Sequence, residues 1–146
     1  MLCNFRTKGA DIQARTRQAV KNVIPCDILK ENPLDPLELE SFDCIILALV
    51  LDAACLDQES YLSAVKNCVR LVKPGGYIIQ ESMLGQTYYK VGKEKFFALK
   101  LDMELIRRGY KEAGCDIENI MSNKTIESDA YCDSTTWCLV IARKST

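Results

Sequence analysis

The sequence predicts an α/β fold, half of a doubly wound sheet whose last two strands form an antiparallel hairpin. Three observations carry this. FDCIILALVLD, residues 42–52, is a nearly unbroken apolar run of strand length, the pattern of a parallel strand covered by helices on both sides. DQESYLSAVKNCVRLVKPGG repeats apolar residues at helical spacing and stops at Pro74, Gly75 and Gly76. The chain closes with two β-prone segments, DIENIMSNKT and TTWCLVIARK, separated by a polar, turn-forming stretch.

The elements follow in order. From Ala10 to Val23, ADIQARTRQAVKNV is charged, with apolar residues at Ile12, Ala19 and Val23. That spacing suits a solvent-facing helix resting on a narrow stripe. Pro25 breaks it and the short segment CDIL follows. ENPLDPLELES, with two prolines and alternating acids, reads as a connecting loop. After the apolar strand, Asp57 or Ser60 caps a helix that turns Leu62, Val65, Val69 and Leu71 inward. YIIQES is the second strand. A loop rich in tyrosine and lysine then leads to LKLDMELIRRGYKEAGC, a helix with Asp102 near its start and Gly114 just past its end.

Composition sets the class. The chain has 146 residues, 48% apolar and 27% charged, a single domain's worth with enough core to fold without disulfides or metal. A net charge of −1, from 19 basic and 20 acidic residues mixed along the chain, shows neither a nucleic-acid footprint nor a membrane-surface patch. Small molecules or protein are the expected partners. Eight scattered cysteines without a CxxC pair, and no histidine, argue against zinc and against Ser-His or Cys-His hydrolase chemistry. Cys44 and Cys138 sit inside apolar runs, where a free thiol acts as a small buried hydrophobe. With no signal peptide and no apolar run of about eighteen residues, the reading is a reduced, cytoplasmic protein.

In open α/β sheets, ligands bind at the carboxyl ends of the strands. Asp52 is expected at the end of its strand, with Glu81, Ser82 and Tyr89 at or just beyond the end of the next, so that all open onto one rim. From spacing alone, Asp52 reads equally well as a helix cap or a solvated turn residue.

Here a resemblance enters. LDAACLD, LVKPGGYIIQES, QTYYKVGKEKFFALKL and ELIRRGYKEAGC resemble the small-molecule N-methyltransferase family that contains nicotinamide, indolethylamine and phenylethanolamine N-methyltransferases. The likeness runs from about Arg6 to Lys144, and LDAAC and YYxxGxxKF are its most specific strings. It implies the C-terminal half of a Rossmann-like class I methyltransferase sheet, S-adenosylmethionine as cofactor, and a small amine or pyridine-type nitrogen as acceptor.

The resemblance also implies residue roles. Asp27 and Ile28 would hold the cofactor's adenine, and Ala48 and Leu49 would line the cofactor and substrate pockets. Tyr89 would stack on the substrate ring, with Tyr88 beside it, and Asp52 would be the acid next to the amine. Methyl transfer from a sulfonium needs alignment more than acid-base work, so Asp52, joined by Glu81, would act by stabilising positive charge on nitrogen. Ser82 and Ala98 fall at substrate positions where the nicotinamide branch carries an acid and a serine. The phenylethanolamine branch carries an acid near Gln86. Neither specialised substrate is therefore implied.

Family members begin with an N-terminal lid, a strand leading into a glycine-rich loop, and a second strand ending in an acid. This chain contains no GxG. Residues 1–146 are thus expected to form one partial domain that binds the cofactor poorly alone and leaves an apolar sheet edge uncovered. The full-length family implies a monomer, and an uncovered edge would let this chain self-associate. A second reading is a non-catalytic, truncated or degenerate methyltransferase-like module acting through protein contacts. A flavodoxin-like reading lacks a phosphate loop.

Overall fold

The computed structural model describes residues 9–124, 131–134 and 136–146. Cys3, Arg6, the tip of the polar stretch at 125–130, and Thr135 lie outside them. The elements are α1 (Gly9–Ala19), β1 (Phe42–Ala48), α2 (Leu51–Ala54), α3 (Gln58–Arg70), β2 (Val72–Leu84), β3 (Tyr88–Val91), β4 (Glu94–Phe97), α4 (Met103–Glu112), β5 (Cys115–Lys124) and β6 (Thr136–Lys144). Four strands form one sheet in the order β1-β2-β6-β5, and β3 pairs with β4 in a separate hairpin.

β1 and β2 run parallel, while β6 is antiparallel to both β2 and β5. The expected closing hairpin therefore forms, but its second strand inserts between β2 and β5. The reason is chemical. β6 is TWCLVIARK, with Cys138, Val140 and Ala142 all buried, whereas β5 is CDIENIMSNK and mostly exposed. The apolar strand takes the covered place and the polar one the edge.

α3 and α4 pack against each other over the sheet, burying Tyr61, Val65 and Cys68 from one and Leu105, Ile106 and Tyr110 from the other. Gly109 lets them approach closely, since a methyl group there would stand 3.0 Å from Tyr61 Cε1. Both helices start on aspartate caps. Asp57 and Ser60 form a reciprocal capping box, and Asp102 accepts from the Leu105 N–H at 2.7 Å. At the far end of α3, Lys144 Nζ donates to the Val69 and Val72 carbonyls at 3.1 and 2.7 Å, which satisfies carbonyls left open at the helix end.

Several expectations are corrected. α1 ends at Ala19 rather than Val23, and none of its residues is buried, so its stripe rests on nothing described. β-branched Val20 and Val23, with Asn22 between and Pro25 after, disfavour continuation. β1 ends at Ala48, not Asp52, because Leu49 takes a positive φ of 54° and turns the chain into α2. Cover on both sides of β1 is also not found. Among the described residues it pairs only with β2, and Ile46 is 69% exposed. Cys44 is exposed for the same reason, while Cys138 is buried as expected.

KPGG does not stop the helix. α3 has already ended at Arg70, and these residues sit inside β2, where the short step from Phe42 to Cys44 in β1 is matched by the longer step from Val72 to Tyr77. The bulge presses Gly76 against β1. An added Cβ there would meet the Asp43 carbonyl oxygen at 2.8 Å and the Lys73 oxygen at 3.0 Å. Gly76→Ala is accordingly expected to destabilise the fold by about 2 kcal/mol, read as a lower midpoint in urea unfolding. An unchanged midpoint would show that the bulge is free to relax.

The stretch read as a tyrosine- and lysine-rich loop is instead the β3–β4 hairpin. YYKV and EKFF flank the two-residue turn Gly92-Lys93, with Gly92 at φ 62°. Glycine at the first turn position is the signature of a tight hairpin.

Candidate functional site

The carboxyl ends of β1 and β2 open onto a cavity of about 380 Å³ whose walls include Leu49, Asp52, Met83, Gln86, Tyr89 and Cys132. Leu49 holds its left-handed turn with a 3.0 Å hydrogen bond from its N–H to the Glu81 carbonyl. A leucine in this region costs roughly 1–2 kcal/mol, and such strain concentrates where the chain must be aimed. Here it sends the chain into α2 and drops Asp52 into the cavity wall.

Asp52 is 3% exposed, and its Oδ1 has no hydrogen-bond partner among the described residues. Burial pushes its pKa above the ordinary carboxylate value. Backbone N–H groups of Asp52 and Met83 pull it partly back, and the nearby Glu81 charge pushes it further up. Glu81 itself does not line the cavity. Its Oε1 accepts from Trp137 Nε1 at 2.7 Å. Burial, with the charges of Asp52 and Asp57, also pushes the Cys55 thiol to about 11.

The opposite wall comes from β3. Tyr89 stacks on Phe96, with centroids 5.4 Å apart and planes 19° off parallel. Gln86, which lines the cavity, is 4% exposed and donates its Nε2 hydrogen to the Tyr88 carbonyl at 3.1 Å. Residues 131–134 close the side. Lys90 N–H donates to the Tyr131 carbonyl at 2.7 Å, and Tyr89 bridges to Cys132.

Asp133 ties that segment down, its carboxylate accepting from the Thr87 and Tyr88 N–H groups and from the Thr87 hydroxyl. Slight burial raises its pKa, but the bonds to Thr87 and Tyr88 prevail and hold it below the usual range. A depressed carboxylate stabilises the fold above its unfolded pKa, and that contribution fades as pH falls through the lower folded value. Asp133→Ala is expected to cost about 1 kcal/mol at neutral pH, with the gap to the parent closing in strong acid. A gap independent of pH in thermal melts would refute the clasp.

The structure brings Leu49, Asp52 and Tyr89 together on one cavity. Ser82 and Ala98 are each 1% exposed and line no part of it. Ser82 instead accepts from Gln80 Nε2 at 3.0 Å under the helices, and Ala98 N–H donates to the Thr87 carbonyl. Of the adenine-side residues, Asp27 is exposed with its Oδ1 taken by the Leu29 N–H. Ile28 is in the core, its carbonyl accepting from Asn67 Nδ2. Ala48 is exposed at the end of β1. None of the three reaches the cavity. Tyr88 faces away, since neighbours on a strand alternate.

Met83, Cys132 and Gln86's buried position were missed as cavity walls. For Met83 a signal existed in the period-2 rule. Gln80 and Ser82 point under the helices, so Glu81 and Met83 point the other way.

The profile of the NNMT/PNMT/TEMT family matches residues 3–145. Nicotinamide N-methyltransferase from Homo sapiens is 41% identical over 77% of this chain and 43% of its own length. Indolethylamine N-methyltransferase from Mus musculus is 31% identical over 95% of this chain and 53% of its own. The chain thus spans about half the length of the curated relatives it matches.

Among solved structures, the N-methyltransferase NodS from Bradyrhizobium japonicum, in complex with S-adenosyl-L-homocysteine, superposes with a TM-score of 0.63. It is 18% identical, over 94% of this chain and 61% of that one. An S-adenosylmethionine-dependent methyltransferase from Clostridium acetobutylicum gives 0.63 at 14% identity, over 94% and 70%. These likenesses establish the fold, a Rossmann-like methyltransferase sheet. With the profile match over nearly its whole length, the chain belongs to the NNMT/PNMT/TEMT family.

Proposed function

We propose that this chain forms the acceptor side of an S-adenosylmethionine-dependent N-methyltransferase whose substrate is a small amine that carries N–H bonds. The observation that supports this most is the Oδ1 of Asp52, without a hydrogen-bond partner among the described residues, in a cavity whose walls are mostly apolar and aromatic, with Gln86 and Lys90 as further polar groups. A buried carboxylate is costly unless a cation or donor meets it. The second buried polar wall group, Gln86, also offers an acceptor. Two wall residues able to accept, Asp52 and Gln86, favour a group rich in donors, which a primary or secondary amine is and a bare pyridine nitrogen is not.

The cofactor supplies a methyl group already activated by positive sulfur. The chain's residues hold the acceptor. Tyr89, braced by Phe96, offers a ring face for the substrate body. Asp52 accepts an N–H bond, orients the nitrogen, and offsets the positive charge that grows on it during transfer. Toward the cofactor, the residues fit in part. The exposed end of β1 at Ala48 and the exposed Asp27 leave an open rim for the adenine half, while no glycine-rich cradle exists in this sequence. The described cysteines are all free, which supports a reducing, cytoplasmic setting.

The second reading, a module acting through protein contacts, draws on the β1 edge, unpaired among the described residues, and on Ile46 and the following Leu49, which are 69% and 47% exposed. Calorimetric titration separates the two. Phenylethylamine binding to this chain, with pyridine binding far more weakly, is expected on the first reading. No binding of either amine or S-adenosylhomocysteine, by this chain or by one extended upstream, would leave only the second.

A further inference from the structure

Of the outward face of the β3–β4 hairpin, Lys90 borders the cavity, while Tyr88, Lys95 and Phe97 lie outside its walls. Pairing sets Tyr88 opposite Phe97 and Lys90 opposite Lys95, and alternation puts both pairs on one face. Tyr89 and Phe96 occupy the other. Like charges directly opposed destabilise a hairpin. Yet both ammonium groups converge on one ring, Lys95 Nζ at 3.6 Å and Lys90 Nζ at 5.9 Å from the Tyr88 centroid. Among the described residues neither lysine forms an ion pair. Lys93 adds a third cation at the turn. Among the described residues, the charges opposing them are Glu94, on the hairpin's other face, and Asp133, engaged with Thr87 and Tyr88 at its base. Apolar surface adjoins the cations on this face, with Phe97 53% exposed.

We propose that this hairpin face docks on an anionic phospholipid surface, Lys90, Lys93 and Lys95 meeting the headgroups and Phe97 entering the interface. Converged cations without an ion pair among the described residues call for an anion, and an exposed aromatic side chain beside them calls for an apolar layer next to that anion. Nucleic acid fits less well, because the Tyr88 face that a base would stack on is already covered by Lys95. Docking is peripheral, as no described helix is long and apolar enough to cross a membrane. The inference does not depend on the methyl-transfer reading.

The test is co-sedimentation of the full chain with phosphatidylcholine vesicles, with and without phosphatidylserine. The chain should pellet with the mixed vesicles, stay in solution with the neutral ones, and be released by high salt. Lys95→Glu should lower partitioning at least about fivefold, since each lysine near such a surface contributes about that factor. This variant replaces a like-charge pair by an opposite-charge pair, so the hairpin keeps its fold, which circular dichroism checks. Phe97→Ser should weaken binding on the same vesicles. Equal pelleting of parent and Lys95→Glu overturns the proposal, as does equal binding to neutral vesicles. Tight binding of a single-stranded oligonucleotide without vesicle binding overturns it in favour of nucleic acid, and displacement from vesicles by millimolar inorganic phosphate reduces it to a free-anion site.

Discussion

Asp52→Asn is expected to leave the chain folded and to weaken binding of a small amine about 100-fold, the effect of removing one member of a desolvated charge pair. The substitution keeps the shape of the side chain and removes the charge. Its effect on stability has a definite sign. The folded-state pKa of Asp52 is raised above its ordinary value, with burial as the chief cause. Folding therefore favours the protonated form. The parent is relatively most stable below the unfolded pKa and loses stability as pH rises through the window up to the folded value. The uncharged amide of the variant would carry no such penalty. The stability difference should move in the variant's favour as pH climbs from acid toward neutral, and then level off. Calorimetric titration with phenylethylamine and urea unfolding across pH measure both parts. Unchanged amine affinity would sink the assignment of Asp52, whereas parallel stability curves would show that its burial is not felt.

The largest effect on stability is expected at Gln80. This side chain is 1% exposed and joins three others. The hydroxyls of Tyr61 and Tyr110 donate to its Oε1 at 3.2 and 2.9 Å, and its Nε2 donates to Ser82 Oγ at 3.0 Å. Burial pushes both tyrosine hydroxyls upward, so they remain donors across the neutral range. Gln80→Leu would strand all three partners at once, with little loss of packing. A cost of about 3 kcal/mol is expected, each orphaned buried group contributing about 1 kcal/mol or more. Tyr110→Phe removes one donor and leaves Tyr61 on the same oxygen, so about 1 kcal/mol should be lost. Urea midpoints at neutral pH test the ranking. A Gln80→Leu variant as stable as the parent would mean that water replaces the amide, and the network would not be what joins α3, α4 and β2.

How much could be read beforehand varied with the range of the interaction. α3 and α4 were legible because their signals are local: apolar residues at helical spacing and an aspartate just ahead, which the structure finds as caps on Ser60 and Leu105. The β3–β4 hairpin was equally local, with YYKV and EKFF around Gly92-Lys93, and was passed over only because its aromatic and charged residues mask the alternation. KPGG misled in the other direction. Proline and glycine mark a break, but whether they end a helix or bulge a strand depends on β1, which lies well upstream in the chain.

The site divides along the same line. Asp52 and Tyr89 stood out through LDAAC and YYxxGxxKF, strings whose spacing is fixed within one segment. Ser82 and Ala98, at positions the resemblance made substrate-facing, lie buried outside the cavity walls: Ser82 because the face a strand residue presents is set by the helices that cover the sheet, and Ala98 because it sits just past β4, where the Thr87 carbonyl holds its N–H. The convergence of Lys90 and Lys95 was hidden by the mixing of charges along the chain. Only antiparallel register brings them opposite each other.

By itself, then, the sequence determined the alternation of strands and helices, the caps and the family, since each is written in neighbours a few residues apart. Tertiary structure alone decided that β6 lies between β2 and β5, that Leu49 bends the chain so that Asp52 enters a wall rather than ending a strand, and that one oxygen of Asp52 stands without a partner among the described residues. Those outcomes depend on which groups from distant segments come within hydrogen-bonding distance, and the amount of water left between them sets their energy.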